Sequence, residues 1–230
     1  MNGLPEIIAR EYVYITSLSD DILFIIMCMV FNFSDFIECY KIGNINKQFY
    51  RIVLFVIPTL TRINFYNTTF TWQITLEKIL KKTKNITTLD LSSNNYVYAC
   101  DIARVLKYNS TLTTLILSNT NIGRYGCVIP FTEALKTNTT LTTLDLSCNK
   151  AGDWMIAMIA EALKINSTLT TLNFSYNDVG YHGAKAIAEA VKINKTLTLL
   201  DLRCCGISQN WSKIIAEALE TNTTIKIITT

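Results

Sequence analysis

The chain has 230 residues, a formal charge of +3 from 21 basic and 18 acidic side chains, and is half apolar with 17% charged residues. This composition can bury a core and excludes wholesale disorder. Three prolines and eight glycines exclude collagen-like and linker architectures, near-balanced charge gives no default reading as a nucleic-acid binder, and a single histidine argues against a His-based catalytic or metal site. The longest uncharged apolar stretches, residues 22–34 and 52–61, fall short of the roughly 20 residues a spanning helix needs. The opening MNGLPEIIARE has no basic patch before an apolar core, so no secretory signal is read there. Seven cysteines without a CxxC are read as reduced intracellular thiols, which places the protein in the cytoplasm, with the nucleus as alternative.

In chain order, residues 1–16 read as an N-terminal extension and residues 17–59 as a helical segment without a repeat period. Ser19 and Asp20 suit the cap of a helix carrying Ile22, Leu23, Ile25, Ile26 and Met29. Ser34 and Asp35 cap a second with Phe36, Ile37 and Tyr40, and a third candidate runs through Asn46, Phe49, Tyr50 and Ile52. Three short helices make little core alone, so they are expected to pack on the downstream part of the chain.

The strings SLSDDILFIIMCMV, SDFIECYK and NINKQFYRI, over about residues 17–53, resemble an F-box. Ser19 departs from the proline usual in that family, and a few extra residues lie between its opening and close. The resemblance implies docking to the Skp-type adaptor of a cullin–RING ubiquitin ligase through Leu18, Asp21, Ile22, Leu23, Ile26, Phe36 and Phe49. Read from the residues alone, the same side chains can instead simply cap the core of the adjoining segment.

Residues 60–230 are repetitive. LTRINF begins at Leu60, and its leading apolar position recurs at Ile86, Leu112, Leu141, Leu169, Leu197 and Ile225. TLTTLDLSCN, TLTTLNFSYN and TLTLLDLRCC alternate apolar and polar residues, the period of a short strand. PFTEALKTN, MIAEALKIN, AIAEAVKIN and IIAEALETN place apolar residues such as Ile156, Ile159 and Leu163 at helical spacing. Lys136, Lys164 and Lys192 suit the negative end of each helix dipole. The closing Asn138, Asn166, Asn194 and Asn222 are expected to end each helix in a left-handed conformation.

These units resemble ribonuclease-inhibitor-like leucine-rich repeats: Leu141, Leu144, Leu146 and Asn149 spell LxxLxLxxN, and Cys205 gives its cysteine variant. The resemblance implies an α/β solenoid with parallel strands on a concave face and helices on a convex one, capped by the F-box-like helices. Thr120 takes the Asn slot in a unit one residue longer than its neighbours, where the ladder is expected to be disturbed. In the last unit, Ile225 and Ile228 are expected to face the core, leaving either an open edge or a tail that shields itself.

The strand period assigns three concave columns: Thr88, Thr114, Thr143, Thr171 and Leu199; Asp90, Ile116, Asp145, Asn173 and Asp201; and Ser92, Ser118, Ser147, Ser175 and Arg203. An unknown target protein is placed there, with Asp90, Asp145, Asn173, Tyr176, Asp201 and Arg203 as its binding residues. Tyr and Arg are the residue types that dominate protein interfaces, and Trp154 and Trp211 fall nearer the loops. One reading has a basic segment lying along Asp90, Asp145 and Asp201; the other treats aspartate as a common filler in LDLS strands.

No phosphate loop, HExxH or GxSxG occurs, so no cofactor, metal or catalytic residue is assigned and the chain is read as no enzyme. His182 is placed in a solvated loop. Cys148 and Cys204 lie two strands apart, roughly 10 Å, beyond disulfide reach. The leading function is a substrate receptor of an F-box ubiquitin ligase that brings a target near activated ubiquitin, with no nucleic-acid or membrane partner. The alternatives are a repeat scaffold without a ubiquitin role and, with Arg124 as its least poor arginine, a GTPase-activating protein.

Overall fold

The computed structural model describes residues 62–64, 86–94, 97–125, 128–206 and 209–229. The extension, the helical segment and its Leu18, Asp21, Ile22, Leu23, Ile26, Phe36 and Phe49 lie outside the described residues. In chain order the elements are β1 (Arg62–Asn64), β2 (Thr88–Asp90), α1 (Ala99–Tyr108), β3 (Thr114–Ile116), a short 3₁₀ turn (Ile122–Tyr125), α2 (Val128–Thr137), β4 (Thr143–Asp145), α3 (Asp153–Leu163), β5 (Thr171–Asn173), α4 (Tyr181–Ile193), β6 (Leu199–Asp201), α5 (Gln209–Thr221) and β7 (Lys226–Ile228). Among the described residues, the strands form one seven-stranded parallel sheet in the order β1 to β7.

The repeat period explains this order. Three-residue strands with one inward side chain each cannot bury a hydrophobic face alone; stacking joins them into a continuous interior. Leu89, Leu115, Leu144, Leu172 and Leu200 sit in register and are buried. The leading Ile86, Leu112, Leu141, Leu169 and Leu197 lie beside them, and Ile102, Phe131, Ile156 and Ile187 close the core from the helix layer. The strand register expected from the repeat holds from β2 through β6. The extra residue of the third unit leaves its ladder undisturbed: Thr114 pairs Thr143 as the pattern requires.

Two asparagine ladders tie the repeats together. Asn149, 2% exposed, donates from Nδ2 to the carbonyls of Leu117 (2.7 Å), Leu146 (3.0 Å) and Ser147 (3.1 Å), while its Oδ1 accepts the Thr120 amide at 2.9 Å. Asn177 repeats the arrangement, accepting the amides of Asn149 (3.0 Å) and Ala151 (2.9 Å). Cys205 fills the slot with one weaker donor, its Sγ bonding the Phe174 carbonyl at 3.1 Å; burial raises the Cys205 thiol pKa. Turn amides and carbonyls that would cost about 1–3 kcal/mol each if left unpaired are thereby satisfied inside the fold.

The second ladder corrects an expectation. The closing asparagines do not adopt the left-handed conformation: Asn109 and Asn194 are extended, with φ/ψ of −93/129° and −70/128°. Their amide groups explain the residue type instead. Asn194 Nδ2 donates to the carbonyls of Leu163 (2.7 Å) and Asn166 (2.9 Å), and its Oδ1 accepts the amides of Thr196 (2.9 Å) and Leu197 (2.7 Å). Asn166 and Asn222 reach back in the same way.

Three further expectations change. In β7, Ile227 and not Ile228 pairs with Leu200 and packs against the core, because the last turn is one residue shorter than the 28-residue period; in a strand, one residue of slip exchanges the faces. His182 is the second residue of α4, not part of a loop. Cys100 is disulfide-bonded, so the reading of all thiols as reduced does not hold for it; cysteine count and spacing carry no information on which sulfurs the fold brings together. Cys148, Cys204 and Cys205 are free. Among the described residues, no helix is long and apolar enough to cross a membrane, and no group of three His, Cys, Asp or Glu side chains could hold a metal ion.

Candidate protein-interaction surface

The columns align across the sheet as the period requires, and the backbone of β1 continues the ladder, Arg62 pairing with Thr88 and Asn64 with Asp90. What their polar side chains do is less uniform than their spacing. Oδ1 of Asp90, Asp145 and Asn173 accepts the amide two residues on, from Ser92 (3.0 Å), Ser147 (2.8 Å) and Ser175 (2.9 Å). Asp201 does the same for Arg203 at 3.0 Å. Asp90 and Asp201 are buried and Asp145 half-buried. The column therefore closes turns, a role suited to short polar side chains.

Arg203 stands where the preceding repeats carry serine. Its Nε bonds both Asp201 carboxylate oxygens at 3.0 Å, and its Nη2 bonds Oδ2 at 2.6 Å. This fork holds the Asp201 carboxyl below the usual carboxylate range and the guanidinium above its ordinary value. The ion pair fixes a planar, half-exposed group at the concave rim.

Next to this column runs a row in left-handed backbone. Ser93, Asn119, Cys148, Tyr176 and Cys204 have φ of 58°, 55°, 56°, 57° and 54°. Each immediately precedes an Asn-slot residue, whose buried hydrogen bonds hold the turn in place. The left-handed form costs a non-glycine residue about 1–2 kcal/mol. In the row, Tyr176 is the large side chain and is 60% exposed. Its phenol pKa is raised, first by a hydrogen bond with the Cys204 thiol. Tyr176, Asp201 and Arg203 thus come together at one end of the face, while Asp90 and Asp145 lie further along the same sheet. Arg124 falls in the 3₁₀ turn after β3.

A second group at the loops was only partly legible. Trp154 and Tyr181 are exposed, and the Tyr181 and Trp211 rings lie 4.9 Å apart. Asp153, in the first turn of α3, accepts the His182 amide on Oδ2 at 3.1 Å and the Gly183 amide on Oδ1. It caps α4 from the neighbouring repeat. The Gly-x-x-Gly spacing of Gly180 and Gly183 was the available signal: a Cβ at either would meet the Asp153 carboxylate at 2.7–2.9 Å.

Comparison with known proteins gives consistent results. The model of the TMOD/LMOD leucine-rich domain matches residues 101–229, more than half of the chain. The solved structure of leiomodin-1 actin-binding site 2 is similar at 30% identity and a TM-score of 0.50, covering 55% of this chain and 75% of that one. The leucine-rich repeat-containing protein LegL7 from Legionella pneumophila shares the fold at 19% identity and a TM-score of 0.52, covering 72% of this chain and 54% of that one. No curated protein sequence matches. The Skp-type adaptor expected as partner is overturned: the repeats group with tropomodulin- and leiomodin-type domains, and nothing in the comparisons resembles an F-box. The F-box-like reading of residues 17–53 itself falls outside the described residues.

Proposed function

Because the chain belongs to the TMOD/LMOD leucine-rich domain family, we propose that it is a non-catalytic, actin-binding interaction module. The observation that carries this reading is the likeness to leiomodin-1 actin-binding site 2, at 30% identity over 75% of that chain. The concave face supports it with a surface that is polar, regularly spaced and ordered by its own hydrogen bonds, so little entropy is lost when a partner docks. Tyr176 and Arg203 are its hot-spot residues; Asp90, Asp145, Asn173 and Asp201 shape the surrounding contact.

The test is co-sedimentation of the full chain with filamentous actin, alongside binding to monomeric actin. Binding that weakens about tenfold in Tyr176→Ala/Arg203→Ala supports the reading. No binding to either form of actin rejects it. Asp90→Asn/Asp145→Asn/Asp201→Asn separates the two roles of the carboxylates: unchanged affinity assigns them to the turns alone.

A further inference from the structure

The rim formed by the N-terminal ends of α3, α4 and α5 carries a surface distinct from the concave face. Trp154 is 56% exposed and Tyr181 52% exposed, on successive helices. Tyr181 stacks on the half-buried Trp211 of the next repeat at 4.9 Å, tilted by 47°. The Asp153 bonds to the His182 and Gly183 amides fix the start of α3 against that of α4. The Tyr181 and Trp211 rings are thus held together across consecutive repeats, and Trp154 stands exposed in the first turn of the preceding helix. Monomeric surfaces seldom leave such aromatic side chains uncovered together, and these are the types that anchor interfaces.

Charge indicates what would cover them. Lys185 lies one turn from Tyr181 on the same helix face, Lys213 occupies the corresponding place on α5, and Lys150 enters the rim from the preceding turn; all three are exposed. The first turns of α4 and α5 contain no acidic side chain, so the positive ends of these helix dipoles add to the lysines. On the acidic side, the Asp153 carboxylate is taken up by the α4 amides and Asp178 stands exposed in the loop before α4. Glu189 and Glu217 sit further along their helices, Glu189 bonded to Lys164.

We propose that this rim is a second docking surface, which takes an acidic peptide segment carrying large apolar side chains: the apolar groups pack on Trp154, Tyr181 and Trp211 while the carboxylates meet Lys150, Lys185 and Lys213.

The experiment is a fluorescence-anisotropy titration of the full chain into a labelled synthetic peptide that alternates Glu with Leu and Phe. Saturable binding is expected, weakening as salt is added, with the Lys-for-Glu counterpart about tenfold weaker or worse. Trp154→Ala/Tyr181→Ala should lose about tenfold in affinity, and Lys150→Glu/Lys185→Glu/Lys213→Glu a similar factor with the rings intact. Absence of binding, equal binding of the two peptides, or an acidic-peptide affinity unchanged in either variant overturns the proposal. Tyr176→Ala/Arg203→Ala should bind the acidic peptide like the wild type whatever its affinity for actin, so the concave reading and the rim proposal fail separately.

Discussion

The amide of Asn149 donates to Oδ1 of Asn177 at 3.0 Å across a sequence separation of 28 residues, one full repeat. Each asparagine satisfies its own turn and the backbone of the preceding repeat, so the unit of stability is the pair of repeats.

Replacing Asn177 by Ala strands the amides of Asn149 and Ala151 and takes one donor from the carbonyls of Leu146 and Phe174, which keep Asn149 Nδ2 and Cys205 Sγ. The expected loss is about 2–4 kcal/mol in urea unfolding of the full chain. Asn177→Cys should cost less, because Cys205 fills the same slot one repeat later. Equal losses for the two variants would show that cavity formation, and not the ladder, sets the effect.

Asp153→Ala should destabilise the protein by about 1 kcal/mol through loss of the α4 cap. Gly183→Ala should act at the same place, since the new Cβ meets Asp153 Oδ1 at 2.9 Å and the Ile156 side chain at 3.1 Å. The two effects should combine to less than their sum in a double-mutant cycle. Full additivity would separate the glycine from the cap.

Asp101 is 8% exposed, and its Oδ2 has no hydrogen-bond partner. Burial raises its carboxyl above the ordinary value of 3.8, opposed by Arg104 at 3.8 Å. The folded pKa lies above the unfolded one, so this group's contribution to stability is greatest below the unfolded value and is lost as pH rises through the folded one. The equivalent position in later helices is Pro130, Met158, Ala186 or Ile214. Asp101→Ala should therefore equal or exceed the wild type in stability at pH 7 and lack this acid-side gain. A variant clearly less stable at pH 7 would contradict the argument.

Tyr176→Gly should leave stability within about 1 kcal/mol of wild type, because relief of the left-handed backbone offsets the extra entropy of an unfolded glycine. If the proposed actin-binding surface holds, affinity for actin should nevertheless fall as it does in Tyr176→Ala. A large loss of stability would mean that the phenol packs structurally.

Lys164 bonds Glu161 at 2.6 Å and Glu189 of the next helix at 2.9 Å. Glu189 is held below its ordinary pKa, first by the Lys164 hydrogen bond. A depressed carboxylate stabilises above its unfolded pKa and loses that contribution as pH falls through the folded one. With both glutamates about half exposed, the effect should be small and should vanish in high salt. Chemical unfolding of Glu189→Gln against pH at two ionic strengths checks it.

The amino-acid sequence by itself determined the repeat, the alternation of strand and helix, and the lateral register from β2 to β6, because stacking units with one leucine-filled interior admit a single alignment. It also identified the buried slot of Asn149, Asn177 and Cys205. Only the tertiary structure decided where polar side chains send their hydrogen bonds: the closing asparagines reach back to the previous repeat, Asp153 caps its neighbour's helix, and Arg203 folds onto Asp201. Such partners lie about one repeat away, or depend on a rotamer, and periodicity records neither. The shift at β7, from Ile228 to Ile227, has the same origin: a single residue fewer in a turn exchanges the faces of a strand, and the chain's local pattern carries no mark of it.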